Sequence, residues 1–482
     1  MSAGNGKRPN VLWICTDQQR FDTIGALGNR YVHTPNLDHL VETGTAFTRT
    51  YCQNPICTPS RASFLTGRYP SAVNVNVNGN EFFPREAEDI LVSRILSDTG
   101  YYCGLVGKLH LAGCADRAEP RVDDGFKVFE WSHSPRPLWD GTDHAYAAWL
   151  VDKGQDPKKI LHLRDKRKDR AIVPSPDRDN VAPEFHHLTW LGERAVNYIH
   201  TARDPWLLCV NAFEPHPPFN PPWEYYRRFD PASMPGPLFR PEDLRNQGAL
   251  EKAGVQFQTS ARDPADFGGQ ELQAAYYASI EFVDYQIGLM LEALRATNQL
   301  ENTIVIFMSD HGEMLGDHGL VQKGCRFYEG LVRVPLVFSW PGAIPEQRQV
   351  AHLVELTDVA PTILELTGCE VPERMQGYSL TPAFDGNKDS GSGRRAVRSE
   401  YFQSLGMGDR TRATMYFDGK WKLVRYHSAG LGELFDLIED PREFVNLWDD
   451  PKARAVRDEL LLRSYDDTIK SLDVGVPSTR HY

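Results

Sequence analysis

Short apolar runs of strand length alternate with stretches of helical periodicity along most of this chain, and that alternation limits its fold more than any other feature. Residues 11–15, 105–106, 206–210 and 303–308 read as buried strands, because their apolar positions run on without the every-second-residue break of a half-exposed strand. Val283, Ile287, Met290, Leu291 and Leu294 recur at helical spacing just before the 303–308 run. Leu91, Ile95 and Leu96 do the same ahead of Gly100 and the run near Leu105. Strand and helix in alternation predict an α/β fold: a large, mostly parallel sheet sandwiched by helices. No internal repeat is evident. At 386–395 the text becomes GNKDSGSGRR, which reads as an exposed linker. Beyond it, 414–417 and 421–426 flank Asp418-Gly419, a hairpin signal, and a helical pattern follows over 452–469. The expectation is an α/β domain over 1–380 and a small C-terminal domain over 381–482, with an antiparallel sheet and a helix. The proline-rich stretches 215–222 and 231–241 carry interleaved aromatics and read as ordered loops.

Composition excludes several classes. With 41% hydrophobic residues in 482, there is ample apolar surface to offset chain entropy, so disorder is not the main state. The 53 basic residues are outnumbered by 65 acidic ones, a net charge of −12 that argues against a broad nucleic-acid grip. No run approaches the roughly 18 to 20 apolar residues of a membrane helix. The opening MSAGNGKRPN has no signal-peptide core, so the expected location is cytoplasmic. Eight cysteines without a CxxC pair give neither a disulfide scaffold nor a zinc ribbon; all but Cys57 are expected to be free thiols.

Ligands in a sheet of this kind sit at the carboxyl ends of the strands. Asp17 follows VLWIC and Asp310 follows TIVIFMS, each with a polar neighbour, Gln18 and His311. Singly, an aspartate after a strand is most often a turn or cap. Two at equivalent ends suggest oxygen and nitrogen ligands for a divalent cation. The most specific segment is Cys57-Thr58-Pro59-Ser60-Arg61. Pro59 suits the first turn of a helix and Gly67 its end, which places Cys57 where free N–H groups and the helix dipole favour an anion. Arg61, one turn on, shares that face. Lys108, His110, His216 and Lys323 all lie in loops that follow strands or the Asp310 segment. Two lysines, an arginine and a cation would neutralise a tetrahedral oxyanion, and the two histidines could move protons near neutral pH. Residues 100–108 imitate a phosphate loop but lack its glycine at 102 and have Leu109 in place of the Ser/Thr, and the seven basic residues of 158–170 read as a solvated surface.

Cys57-Thr58-Pro59-Ser60-Arg61 with Leu65-Thr66-Gly67-Arg68 resembles the signature of the formylglycine-dependent sulfatases of the alkaline-phosphatase superfamily. Matching segments run from Asp17 to Lys323, and the C-terminal hairpin and helix resemble that family's small domain. The resemblance implies an alkaline-phosphatase-like architecture and a formylglycine-generating enzyme that oxidises Cys57. The aldehyde hydrate then carries two hydroxyls: one attacks sulfur and releases the alcohol, and the other gives its proton to His110 and collapses to expel sulfate. It further implies Asp17, Gln18, Cys57, Asp310 and His311 as ligands of one divalent cation, and Arg61 as stabiliser of the hydrate. Lys108 and Lys323 would hold sulfate oxygens, and His216, with Lys323, would protonate the leaving alkoxide.

Two positions depart from the commonest family pattern. Gln18 stands where many sulfatases have a second aspartate, and His311 where many have asparagine, which removes one negative charge and adds a nitrogen ligand. Ca2+ is the expected ion, with Mn2+ or Mg2+ as alternatives. Similar substitutions occur in phosphonate monoester hydrolases and phosphodiesterases that use the same formylglycine. Lys108 argues the other way, since two lysines suit the three terminal oxygens of a sulfate monoester. The expectation is therefore a sulfuric ester hydrolase acting on a sulfated saccharide or small molecule, with phosphonate or phosphodiester hydrolysis as the alternative. A non-catalytic anion binder with unmodified Cys57, and a thiol enzyme using Cys57 directly, are the readings of other classes. Residues 74–80, 131–144 and the region of His427 are the expected substrate contacts, their Asn, His, Trp and Arg content suiting a sugar.

Overall fold

A computed structural model of the chain describes residues 7–80, 90–114, 117–133, 144–164, 181–384, 393–408, 410–427 and 429–472. Its centre is an eight-stranded sheet in the order Arg348–Val350, Gly44–Phe47, Leu336–Ser339, Thr303–Ser309, Asn10–Asp17, Trp206–Pro215, Tyr102–Gly107 and Val128–Trp131. The four expected runs are its core strands and are all parallel. Leu336–Ser339 pairs antiparallel on both sides, so the sheet is mixed rather than uniformly parallel. The 206–210 run extends to Pro215, five residues further than its apolar text, because pairing resumes at Asp17 and Pro215 after a register shift beyond Cys15 and Asn211.

Alternate side chains of the central strand enter two different cores. Val11, Trp13 and Cys15 pack with Ala62, Phe64 and Leu65 of the Cys57–Thr66 helix. Leu12 and Ile14 pack on the opposite face with Phe282, Val283, Ile287 and Met290 of the 28-residue helix Gly269–Ala296. A strand buried on both faces must be apolar at every position, which is why these runs do not alternate. Three further short strands, Thr50–Tyr51, Arg333–Val334 and Val354–Glu355, form a small second sheet.

The C-terminal segment forms a four-stranded antiparallel sheet, Val397–Phe402, Arg412–Phe417, Trp421–Tyr426 and Leu431–Asp436, followed by the helix Arg454–Lys470. The expected hairpin is present, with Gly419 at φ 101 in its turn. Val397, Tyr401, Ala413, Met415, Phe417, Val424 and Tyr426 belong to the same hydrophobic cluster as the large sheet. The outer face carries Tyr416, Leu423 and Leu434 against Leu460 of the terminal helix. Most of the 386–395 linker, most of 131–144 and the end of the 158–170 basic run lie outside the described residues. The two proline-rich stretches are ordered and carry or adjoin short helical turns. Among the described residues, no helix is long and apolar enough to cross a membrane.

Candidate active site

Strand register fixes the site. Thr16 stands beside Ser309 in adjacent parallel strands, so Asp17 and Asp310 leave the sheet side by side at its carboxyl edge. Gly107 pairs with Asn211, which brings Lys108 to the same edge, and the strand ending at Pro215 delivers His216 there. The Cys57–Thr66 helix lies over this edge with Cys57 in its first turn and ends at Gly67, φ 67, as Pro59 and Gly67 predict. Ser60 Oγ donates to the Asp310 carbonyl at 2.6 Å and ties the helix to the strand end.

Ligand atoms of Asp17, Cys57, Asp310 and His311 all lie within 4.8 Å of one another, and all four residues are buried. Cys57 Sγ is 3.6 Å from Asp17 Oδ1 and 3.2 Å from His311 Nε2. His311 Nδ1 donates to the Gly312 carbonyl at 2.9 Å, which leaves the Nε2 lone pair facing the cluster. Gln18 sits at φ 71; its Nε2 donates to Glu313, and its buried Oε1 has no hydrogen-bond partner among the described residues. Two carboxylates, an imidazole nitrogen and an orphaned amide oxygen suit a divalent cation, and the donor set fits the five residues expected to hold one.

Positive groups surround that cluster. Lys323 Nζ donates to Cys57 Sγ at 2.8 Å, and Lys108 Nζ donates to Asp17 Oδ2. Arg61, fully buried, donates through Nε to Asp310 Oδ2 at 2.8 Å and through Nη1 to the Lys108 carbonyl at 3.0 Å; its Nη2 is 3.8 Å from Asp17 Oδ2. Both His110 and His216 hydrogen-bond to Cys57. Burial pushes the Cys57 thiol up, but Lys108, Lys323 and His311 outweigh it and hold the thiol well below its ordinary range. Burial, reinforced by Lys108, pushes His110 down to about 3, and burial with Lys323 lowers His216. Burial opposes protonation of His311, yet Asp310 raises it. Asp17 is held below the carboxylate range, since Lys108, His216 and Lys323 together overcome burial and the neighbouring Cys57. All ten expected residues therefore meet in one site.

Residues 9–369 match the family model described as Sulfatase, three quarters of the chain. The chain belongs to the sulfatase family. Residues 316–468 match a second model, N-sulphoglucosamine sulphohydrolase, C-terminal. An arylsulfatase of Clostridium perfringens is 28% identical, covering 91% of this chain and 90% of its own. An N-acetylglucosamine-6-O-sulfatase of Bacteroides thetaiotaomicron is 26% identical, covering 94% and 85%. Among solved structures, a phosphonate monoester hydrolase of Agrobacterium radiobacter superposes with a TM-score of 0.79 at 27% identity, covering 97% and 96%. The protein is thus a sulfatase-type hydrolase of the alkaline-phosphatase superfamily, as the Cys57 segment indicates.

Sequence reading missed the residues that hold this sulfatase site in shape. Glu313 binds the Gln18 amide and accepts the backbone N–H groups of Leu315, at 3.0 Å, and Gln322. Glu119 accepts from the backbone N–H groups of His110, at 2.7 Å, and Leu111, at 3.2 Å. Asn211 Nδ2 donates to the Lys108 carbonyl at 2.8 Å. Glu313, Glu119 and Asn211 all lie in text that nothing distinguishes. Of the expected substrate contacts, the 74–80 loop does reach the site, since Asn78 Oδ1 accepts from Thr58 Oγ1 at 3.0 Å. Its backbone N–H donates to the Ser404 carbonyl at 2.7 Å, which joins the loop to the C-terminal sheet. His427 Nε2 lies 2.9 Å from Thr414 Oγ1 on the neighbouring strand of the C-terminal sheet.

Proposed function

We propose that this sulfatase hydrolyses sulfate monoesters carried on a saccharide, with Cys57 converted to formylglycine by a maturation enzyme. The observation that carries the choice of sulfate is the pair of buried ammonium groups, Lys323 on Cys57 itself and Lys108 on the neighbouring Asp17. Two cations suit a group with three terminal oxygens better than a diester with two. Support for a saccharide comes from the similarity to a glucosamine sulfatase and from the asparagine-rich 74–80 loop beside Thr58.

In this reading one hydroxyl of the formylglycine hydrate gives its proton to the Asp17 carboxylate, 3.6 Å from Cys57 Sγ, and attacks sulfur as the ester S–O bond breaks. His216 delivers its proton to the departing alkoxide. A lowered pKa suits a donor only once the negative sulfate group lies against it and raises its proton affinity. His110, neutral at physiological pH, takes the proton of the second hydroxyl; the carbon–oxygen bond to sulfate then breaks and the aldehyde returns. Arg61 holds Asp310 and the Lys108 carbonyl in place beneath the hydrate. A divalent cation held by Asp17, Gln18, Asp310, His311 and residue 57, calcium by the oxygen content of the set or manganese by its imidazole, would polarise the ester oxygen and acidify the attacking hydroxyl.

The likeness to a phosphonate monoester hydrolase keeps one competitor specific. Matured protein assayed against sulfated monosaccharides, an aryl sulfate and a phosphonate monoester decides between them. The expected result is the highest kcat/KM on a sulfated sugar, with Lys108→Ala losing about 100-fold or more. A phosphonate hydrolysed faster than every sulfate ester would overturn the sulfate assignment.

A further inference from the structure

On the flank of the catalytic cluster a second group of donors meets, distinct in chemistry from the first. His110, Cys114 and His133 each offer one ring nitrogen or the sulfur, and these atoms all lie within 4.8 Å of one another. The two imidazole rings touch edge to face, with centroids 4.4 Å apart and planes at 69°. Nδ1 of His110 and Nε2 of His133 are buried and have no hydrogen-bond partner among the described residues. His110 is only 6% exposed, so bulk solvent does not reach its orphaned nitrogen. It uses its other face toward Cys57. The loop is not free to relieve the orphan, because Glu119 clamps the His110 and Leu111 N–H groups and His110 sits at φ 59. Cys114 is buried and in no disulfide.

We infer that His110, Cys114 and His133 form a second cation site, selective for a soft transition ion such as Zn2+, and that filling it silences the enzyme. Two imidazoles and a thiolate are the donor set of zinc and cobalt, with the fourth position left for water. Calcium and magnesium, which demand oxygen ligands, are rejected here and remain with the oxygen-rich set around Asp17 and Asp310. The ion displaces the thiol proton of Cys114 to solvent and bonds both imidazoles through lone pairs, without oxidation or reduction. Its charge then stands beside the proton acceptor of the proposed hydrolysis. His110 bound through Nδ1 loses basicity at its other nitrogen, so turnover stops although substrate and calcium still bind. The binding claim stands on the geometry alone; the silencing claim rests on the role of His110 proposed above.

Cobalt titration of the Cys57→Ser protein, saturated with Ca2+, tests binding without any activity. Replacing Cys57 removes the thiol of the catalytic centre, so a thiolate-to-cobalt absorption band reports Cys114. The expected result is one Co2+ per chain with that band, and its loss, with affinity down at least about tenfold, in Cys57→Ser/Cys114→Ser. Should that double variant fail to fold, His133→Gln on the same background must weaken cobalt binding to a similar degree. Absence of the band in the parent, or its survival in the double variant, overturns the site. In matured enzyme, Zn2+ is expected to inhibit reversibly, with Cys114→Ser retaining activity and requiring at least about tenfold more Zn2+ for the same inhibition. Equal Zn2+ sensitivity in both proteins would place the inhibiting ion at the Asp17 cluster and overturn the silencing claim. If matured protein turns over no sulfate ester at all, the proposed function fails while the cobalt result still decides the site.

Discussion

Gln18 turns on a left-handed backbone, and Glu313 decides which end of its amide faces the cation cluster. The carboxylate accepts Nε2, so Oε1 is the amide atom left available to a cation; a carboxamide at 313 would accept or donate and release that choice. Glu313→Gln is expected to weaken calcium binding about 10- to 100-fold by calorimetry, a change under twofold counting against the orienting role. The departures at positions 18 and 311 were legible in the sequence as a lost charge and a gained nitrogen. Glu313 was not, because an acidic residue in a loop ordinarily solvates, and only the fold shows this one fully buried with three donors around it.

At the scale of elements, the strand ends and the loops behind them aim the chemistry. Gly107 has φ 104, and a Cβ there would lie 2.0 Å from the Asn211 carbonyl oxygen, the atom that accepts the Lys108 N–H at 3.0 Å. Gly107→Ala must therefore move the strand end that carries Lys108. Its expected effects are a stability loss of about 1–3 kcal/mol in urea unfolding and at least a tenfold fall in kcat/KM. An alanine variant with unchanged kinetics would show that Lys108 is not held through this contact. The loop behind it depends on Glu119, which burial pushes up to about 7. A carboxyl raised above its unfolded value stabilises the fold fully below about pH 4.5, and that contribution fades as pH rises through 7. Glu119→Gln is expected to flatten the pH dependence of stability across that window, by at most about 1.4 kcal/mol per pH unit. A slope identical to wild type between pH 4.5 and 7 would contradict it. The Cys57–Thr66 helix was legible because proline and glycine punctuate it. The antiparallel strand Leu336–Ser339 was not, because a short apolar run carries no mark of its direction.

Across the whole molecule, the C-terminal sheet is joined to the catalytic body by charge as well as by the shared core. Lys422 Nζ is buried and donates to Glu329 Oε1 and Glu443 Oε1, both at 2.7 Å, and to the Phe327 carbonyl at 3.0 Å. Burial would raise Glu329, but Lys422 and Arg333 pull it below the ordinary carboxylate range. That contribution is present above about pH 4.5 and is lost as pH falls. Lys422→Met removes the cation shared by two buried carboxylates, leaving Glu329 only Arg333, and is expected to destabilise the protein by about 3–5 kcal/mol at pH 7. The deficit should shrink toward pH 4.5, where protonation relieves the two carboxylates; a deficit that grows with acid would contradict this account. The linker text near 386 marks where the chain changes character. It could not show that Val397, Met415 and Phe417 enter the same core as Val11 and Trp13, because those contacts are far apart in sequence.

All of the chemistry proposed here passes through position 57. The most direct test is the mass of the tryptic peptide of residues 50–61, taken from protein co-expressed with a formylglycine-generating enzyme and shown to turn over a sulfate ester. The aldehyde or its hydrate is expected at position 57, in a fraction that tracks the specific activity. Fully active protein carrying only unmodified cysteine there would contradict it.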